Sequence, residues 1–194
     1  MYYYSTTKID TSGVYSRETQ FMEYYCIMVL TGDEKNFKDR AIHELKELFP
    51  ATQFYYFERK LHTKRRGWFL GSLFPGYLFF GVEDFSAEFF FKLRKIKGFC
   101  RILPDNQSPL SIQGSALEEL KFLIQNGEVL GISKVQFLPG QNVKAISGPL
   151  KGYEGSVVMV NKKKKIITVR SLLTKDGKMF DLNYEEAEKT GESN

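Results

Sequence analysis

Val143-Lys144-Ala145-Ile146-Ser147-Gly148-Pro149-Leu150-Lys151-Gly152-Tyr153-Glu154-Gly155-Ser156-Val157-Val158 joins two β-type apolar runs through a segment whose glycines and proline fall where tight backbone is needed. The first run alternates as a half-buried strand, and Gly148-Pro149 stops its ladder because proline has no N–H to give. Gly152 and Gly155 are expected either to take positive φ or to let another backbone approach closely, so the chain turns compactly and re-enters a strand near Ser156. The short strands are read near 142–147, 155–160, 165–170 and 178–182, with Asp176-Gly177 as a type I′ hairpin signal. About fifty residues with four or five strands suit an SH3-like barrel.

Upstream the period changes. Tyr24 to Leu30 reads as a central strand, and Thr31-Gly32-Asp33 as a turn and N-cap for a helix from about Glu34 to Phe49, with Phe37, Ala41, Leu45 and Leu48 as its buried stripe. Gln53 to Glu58 is strand-like, Lys60 to Gly67 a charged loop, and Leu73-Phe74-Pro75-Gly76-Tyr77-Leu78-Phe79-Phe80 a turn into another strand. Alternation of faces places Leu78 and Phe80 inward and Tyr77 and Phe79 outward. Asp84 or Ser86 caps a short helix with Phe89, Phe90 and Leu93 inward, and Phe99 to Leu103 is the next strand. The order is β-α-β-β-α-β. Ser115-Ala116-Leu117-Glu118 is a capping box for a third helix, with Leu117, Leu120 and Ile124 on one face and Asn126-Gly127 closing it.

These patterns divide the 194-residue chain into a disordered extension over 1–21, an α/β domain over 22–126, a linker over 127–137, a barrel over 138–189 and a tail over 190–194. The orderly pattern begins at Met22, which is therefore an alternative start of translation. No apolar run reaches the roughly 18 residues of a membrane-spanning helix, and the first residues lack an apolar signal core, so a cytoplasmic protein without a membrane partner is expected.

The chain carries a net charge of +5 and a pI near 9.0, which favours polyanionic partners. From Gln136 to Lys189 there are ten Lys/Arg against six Asp/Glu, whereas Met22 to Lys134 has sixteen against fourteen. The C-terminal excess is focused on Lys162-Lys163-Lys164-Lys165, a solvated hairpin tip and a candidate for nucleic-acid phosphates. Cys26 and Cys100 lie in apolar stretches with no second cysteine or histidine at metal-ligand spacing, so reduced core thiols are expected, with neither metal nor cofactor. A thiol–imidazole pair drawn from these cysteines and His43 or His62 has no supporting motif, and no nucleophile elbow or phosphate-cradling loop is present. A non-enzyme follows.

The 143–158 stretch resembles the KOW motif of NusG-type elongation factors and of several ribosomal proteins. With the β-α-β-β-α-β domain before it, the chain from Met22 to Lys189 resembles the NusG family. Tyr24-Tyr25 with Thr31-Gly32 looks like that family's opening strand and loop, and Phe74-Pro75-Gly76-Tyr77 resembles its Phe-Pro-Gly-Tyr signature. Gly98-Phe99, Pro109-Leu110-Ser111 and Pro139-Gly140 fall where the pattern expects them. The resemblance implies an α+β fold, an antiparallel sheet with helices followed by an SH3-like KOW barrel. It implies a monomer whose N-terminal domain binds the clamp helices of the largest subunit of RNA polymerase and modulates elongation.

Under that resemblance Tyr25, Phe74, Pro75, Gly76, Tyr77 and Phe79 are the polymerase-binding residues. Lys151, Tyr153, Lys162, Lys163, Lys164, Lys165, Arg170, Leu172 and Leu173 would meet nascent RNA or a partner, and Gly148, Pro149, Gly152 and Gly155 form the KOW turn. Two departures stand out. Lys64 to Gly71 is unusually aromatic, and Leu172 to Gly177 replaces an aromatic tip, which tells against contacts to Rho or to the ribosomal protein that bridges transcription and translation. Gly127 to Lys134 and Ser147 to Gly152 look more like the LoaP-type antiterminators, which promote read-through of long operons and recognise an RNA hairpin. A ribosome-associated or general RNA-binding KOW protein is the alternative that needs only the C-terminal half.

Overall fold

A computed structural model describes residues 5–9, 15–19, 22–139, 143–174 and 177–187. Of the extension expected to be disordered, β1 (Ser5–Ile9) and β2 (Tyr15–Thr19) pair antiparallel, and the rest lies outside the described residues. The tail at 190–194 and the Asp176 half of the hairpin signal also lie outside them.

The chain forms two compact units that interleave in sequence: residues 1–54 with 76–112, and residues 55–75 with 113–194. In the first unit, β3 (Glu23–Val29), α1 (Glu34–Leu45), β4 (Gln53–Tyr55), β7 (Tyr77–Val82), α2 (Ala87–Leu93) and β8 (Phe99–Ile102) give a four-stranded sheet in the order β4-β7-β3-β8. β3 pairs antiparallel with both β7 and β8, so Ile27 stands opposite Leu78 on one side and Ile102 on the other. Phe37, Ala41 and Leu45 on α1, and Phe89 and Leu93 on α2, are buried as expected, while Phe90 is only half-buried. Leu48 is exposed because α1 stops at Leu45, three residues short of it. Ser86, not Asp84, caps α2, its hydroxyl accepting from the Phe89 N–H at 3.1 Å.

β7 departs from the alternating pattern. Leu78, Phe79, Phe80 and Val82 are all buried, as are Tyr25, Cys26 and Ile27 on its neighbour, so the two central strands are covered on both faces. Tyr25 and Phe80 face α2 in an aromatic group with Phe85 and Phe89, with ring centroids 4.6 to 5.7 Å apart along Tyr25–Phe85, Tyr25–Phe80, Phe80–Phe89 and Phe85–Phe89. By parity Phe79 and Cys26 point the other way and are still buried, which corrects the outward placement of Phe79. Cys100 is exposed on β8 rather than in the core.

The second unit holds β5 (Glu58–Thr63) and β6 (Gly67–Ser72), α3 (Gly114–Gln125), β9 (Val129–Leu130), β10 (Ser133–Phe137), β11 (Val143–Ser147), β12 (Val157–Asn161), β13 (Ile166–Arg170) and β14 (Met179–Glu186). β10 to β14 form a five-stranded barrel-type sheet in the order β11-β10-β14-β13-β12. Two corrections belong here. The segment expected as a linker carries β9 and β10, and β10 is a central strand of that sheet, antiparallel to β11 and parallel to β14. The expected charged loop is instead a hairpin, β5 on β6, with β9 added in parallel to β5. One tie to the barrel is the His62 N–H donating to Asn183 Oδ1 at 3.2 Å. α3 starts from Gln113 with no capping side chain, and its buried face is Glu119, Leu120 and Leu123 rather than Leu117 and Ile124, which are half-buried.

The KOW turn shows why its glycines are there. Gly148 has φ +88, and a Cβ on it would meet Ile132 O at 2.6 Å and Ser133 Cα at 2.7 Å, so only glycine lets the turn lie against β10. Ser133, fully buried, completes the contact by accepting from the Leu150 N–H at 2.9 Å. Gly155 does neither of the expected things: it lies in a 3₁₀ turn, Glu154–Ser156, with open space where a side chain would go.

Candidate functional site

The Phe-Pro-Gly-Tyr turn is fixed by a buried carboxylate. Glu34, in the first turn of α1, accepts from the Gly76 N–H at 2.6 Å and the Gly32 N–H at 2.9 Å, and Gly76 O in turn accepts from Val29 N at 2.9 Å. The turn is therefore held at the end of β3 by hydrogen bonds to a charged acceptor, the strong kind. Of the six residues expected to meet the polymerase, Tyr25, Phe74, Gly76 and Phe79 are buried, Tyr77 is half-buried and Pro75 is exposed. Phe74, expected among the polymerase-binding residues, is thus a packed side chain rather than an exposed one: it meets Phe180 edge-on, with ring centroids 5.8 Å apart. Tyr25 donates its hydroxyl hydrogen to Glu23 at 2.7 Å, and burial with that carboxylate pushes its pKa well above the ordinary tyrosine range.

On the barrel the expected residues separate into two groups. Lys151, Lys162, Lys163, Lys164, Lys165 and Arg170 are exposed, while Leu172 is exposed and Leu173 buried. The four lysines form the β12–β13 turn, which is shaped by Asn161 Oδ1 accepting from the Lys164 N–H at 3.0 Å and by Lys165 at φ +54. Lys162 Nζ lies 4.5 Å from the Phe137 ring centroid, a cation–π contact that anchors the base of the tip. Tyr153, expected to stack on a base, is instead buried: its hydroxyl donates to Glu119 Oε1 at 2.8 Å and its ring meets Phe122 edge-on at 5.5 Å. Beside it a shallow cavity of about 230 Å³ is lined by Glu118, Phe122, Gly152 and Leu172.

Two features escaped the sequence reading. The β5–β6 hairpin carries an exposed Trp68 with Lys60 Nζ 5.2 Å from its ring and His62 beside it at 4.8 Å, and Arg66 lies 4.3 Å from the Phe69 ring. The alternation of Lys60-Leu61-His62 against Trp68-Phe69-Leu70 was the available signal. The other is Glu119, whose only mark in sequence is a carboxylate interrupting the Ala116–Leu120–Leu123 stripe. Among the described residues no group of three or more His, Cys, Asp or Glu side chains is placed to hold a metal, and no helix is long and apolar enough to cross a membrane.

The family described as "Transcription termination factor nusG" matches residues 22–121, just over half of the chain, and the KOW motif matches residues 139–170. The chain belongs to the NusG family of transcription factors. A structure of Thermotoga maritima NusG, described by the words "Domain interaction", has the same fold at TM-score 0.57 and 17% identity, covering 84% of this chain and 94% of that one. Two conformations of an MjSpt4:Spt5 complex align over 82% of this chain and 91% of theirs, at 14% and 16% identity and TM-scores of 0.31 and 0.32. No curated protein matches the chain. The NusG-type α+β fold with a KOW region is thus established, and the family's members act as transcription factors.

Proposed function

We propose that this NusG-family protein binds elongating RNA polymerase through residues 22–126, on the clamp helices of the largest subunit, and acts in the cytoplasm as a processive antiterminator of the LoaP type. The observation that carries the reading is the joining, in one chain, of a NusG domain to a KOW region whose exposed four-lysine turn faces solvent. The exposed Pro75 and half-buried Tyr77, on a turn made rigid by Glu34, supply the polymerase contact. The barrel recruits nascent RNA through Lys151, Arg170 and Lys162 to Lys165, a salt-sensitive attraction that concentrates the factor on its transcript.

In vitro transcription with purified polymerase, on a terminator-bearing template with and without an upstream RNA hairpin, tests this. Read-through that needs both the hairpin and the lysine turn is expected. Altered pausing on every template would replace the reading with a general elongation factor, and no effect on polymerase would end it.

A further inference from the structure

The cavity of about 230 Å³ beside Tyr153 lies wholly within the second unit. Its walls come from elements far apart in sequence, α3 on one side and the barrel loops carrying Gly152 and Leu172 on the other. Its charge runs against that of the chain. No lysine, arginine or histidine lines it, and Glu118 and Glu119 do, in a protein of net charge +5.

The polar groups around the cavity are mainly acceptors. Glu119, only 8% exposed, takes its hydrogen bonds from three neutral donors, the Tyr153 hydroxyl, Ser171 Oγ and the Leu172 N–H. A carboxylate offers about four acceptor positions, so one is left over. The Tyr153 hydroxyl spends its hydrogen on Glu119, which leaves the lone pairs of its oxygen as acceptors. Glu118, its side chain 77% exposed, meets Lys121 Nζ at 4.0 Å, the outer limit of an ion pair. The remaining walls are apolar: Leu172 is exposed, and the half-buried Phe122 ring stands edge-on to Tyr153 with Gly152 pressed against it.

We infer that this cavity binds a guanidinium group carried on a short alkyl stem. Such a group is rich in donors and has no acceptor, the complement of the surplus acceptors here, and its planar face stacks on an aromatic ring such as Phe122. The stem suits the Leu172 wall. Size agrees as well: a cavity of about 150 Å³ holds benzene, so 230 Å³ admits about nine heavy atoms, the size of agmatine or of an arginine side chain with its Cα. Because the walls belong to both α3 and the barrel loops, the bound cation would strengthen the seat of α3 on the barrel that Glu119 already makes.

NMR titration of the full chain with agmatine and, separately, with N-acetyl-L-arginine amide, at constant ionic strength, tests it. At least one of the two should shift the backbone amides of Gly152, Tyr153 and Leu172 along a saturating curve. Saturation by agmatine alone assigns the site to a free small molecule, and saturation by the arginine amide alone assigns it to a side chain of a protein. The uncharged isostere N-acetyl-L-citrulline amide should bind about tenfold more weakly or worse, since it lacks the charge that strengthens the hydrogen bonds. Glu118→Gln lies outside the Glu119 network, so it should weaken binding by about threefold while the melting temperature stays put. Leu172→Ala should do likewise by removing a wall. Neither cation saturating, the citrulline amide binding as tightly as the cations, or both variants binding as the unaltered chain does would each overturn the proposal. With polymerase and RNA absent, these outcomes are independent of the antitermination reading.

Discussion

Tyr153 on the KOW loop donates its hydroxyl hydrogen to Glu119 Oε1 on α3 at 2.8 Å, and the same carboxylate accepts from Ser171 Oγ at 2.8 Å and from the Leu172 N–H. Three donors on one buried anion hold α3 against the barrel sheet within the second unit. Phe122 adds to this by resting on Gly152, where a Cβ would meet its ring at 3.1 Å.

Removing the acceptor should therefore cost more than removing one donor. Glu119→Ala strands two buried hydroxyl donors and the partly buried Leu172 N–H and is expected to lose about 3 kcal/mol or more, while Tyr153→Phe loses one bond and about 1 to 2 kcal/mol. Denaturant melts of both variants check the order. A Tyr153→Phe loss equal to that of Glu119→Ala would mean the carboxylate is not the shared acceptor.

The same pair sets a pH dependence. Burial, then the nearby Glu119 charge, raises the Tyr153 pKa above its ordinary value of 10.0, so the protonated phenol favours the native state. Its contribution is complete below about pH 10 and is lost progressively as pH rises toward the raised value. Tyr153→Phe should flatten the alkaline fall in stability above about pH 10 and leave the slope at pH 7 as it was.

At the acid end the sign reverses. Asp33 is held below its ordinary pKa by its hydrogen bond to Arg40 first and to Asn36 second, so its ionised form favours the native state. That contribution is present above the unfolded value of about 3.9 and fades as pH falls through the lowered one. Asp33→Asn should make stability less steep in acid below about pH 4. A steeper acid limb would contradict the pairing.

Much of this was readable from residues because the relevant signals are local. Gly148-Pro149 stops a strand wherever it occurs, and Phe37, Ala41 and Leu45 mark a helix by spacing alone. Lys60 to Gly67 reads as a charged loop because Lys60, His62 and Thr63 on β5 and Lys64, Arg65 and Arg66 after them are all exposed, and this polar run masks the short alternation against Trp68-Phe69-Leu70. Phe79 was placed outward because period-two reasoning assumes a sheet with one wet face. Glu119 was invisible: a carboxylate in an apolar stripe acquires its meaning from donors 34, 52 and 53 residues away.

The burial of Phe79 separates two substitutions on β7 that sequence alone would treat alike. Phe79→Ala opens a cavity at a 1% exposed site and should cost about 3 to 5 kcal/mol, with any loss of polymerase binding following from unfolding. Tyr77, half-buried beside the rigid Gly76 turn, should tolerate alanine with the fold intact and lose polymerase binding by about tenfold or more, as an interface anchor does. Pull-down of core polymerase alongside thermal melts distinguishes them. Tyr77→Ala with full binding would remove this turn from the polymerase contact.

All four lysines of the β12–β13 turn are exposed, and their charge acts through released counterions rather than shape. Replacing Lys162, Lys163, Lys164 and Lys165 with alanine should reduce the salt slope of RNA binding, by about 0.7 for each lysine that meets a single-stranded phosphate, with little change in the melting temperature. Lys162 is a partial exception, because its ammonium rests on the Phe137 ring and its loss removes packing as well as charge. Lys162→Ala alone should therefore destabilise by about 0.5 to 1 kcal/mol, whereas Lys163→Ala and Lys164→Ala change only the slope. An unaltered slope in the fourfold variant would take the turn out of the RNA interface and leave Lys151 and Arg170 to account for barrel binding.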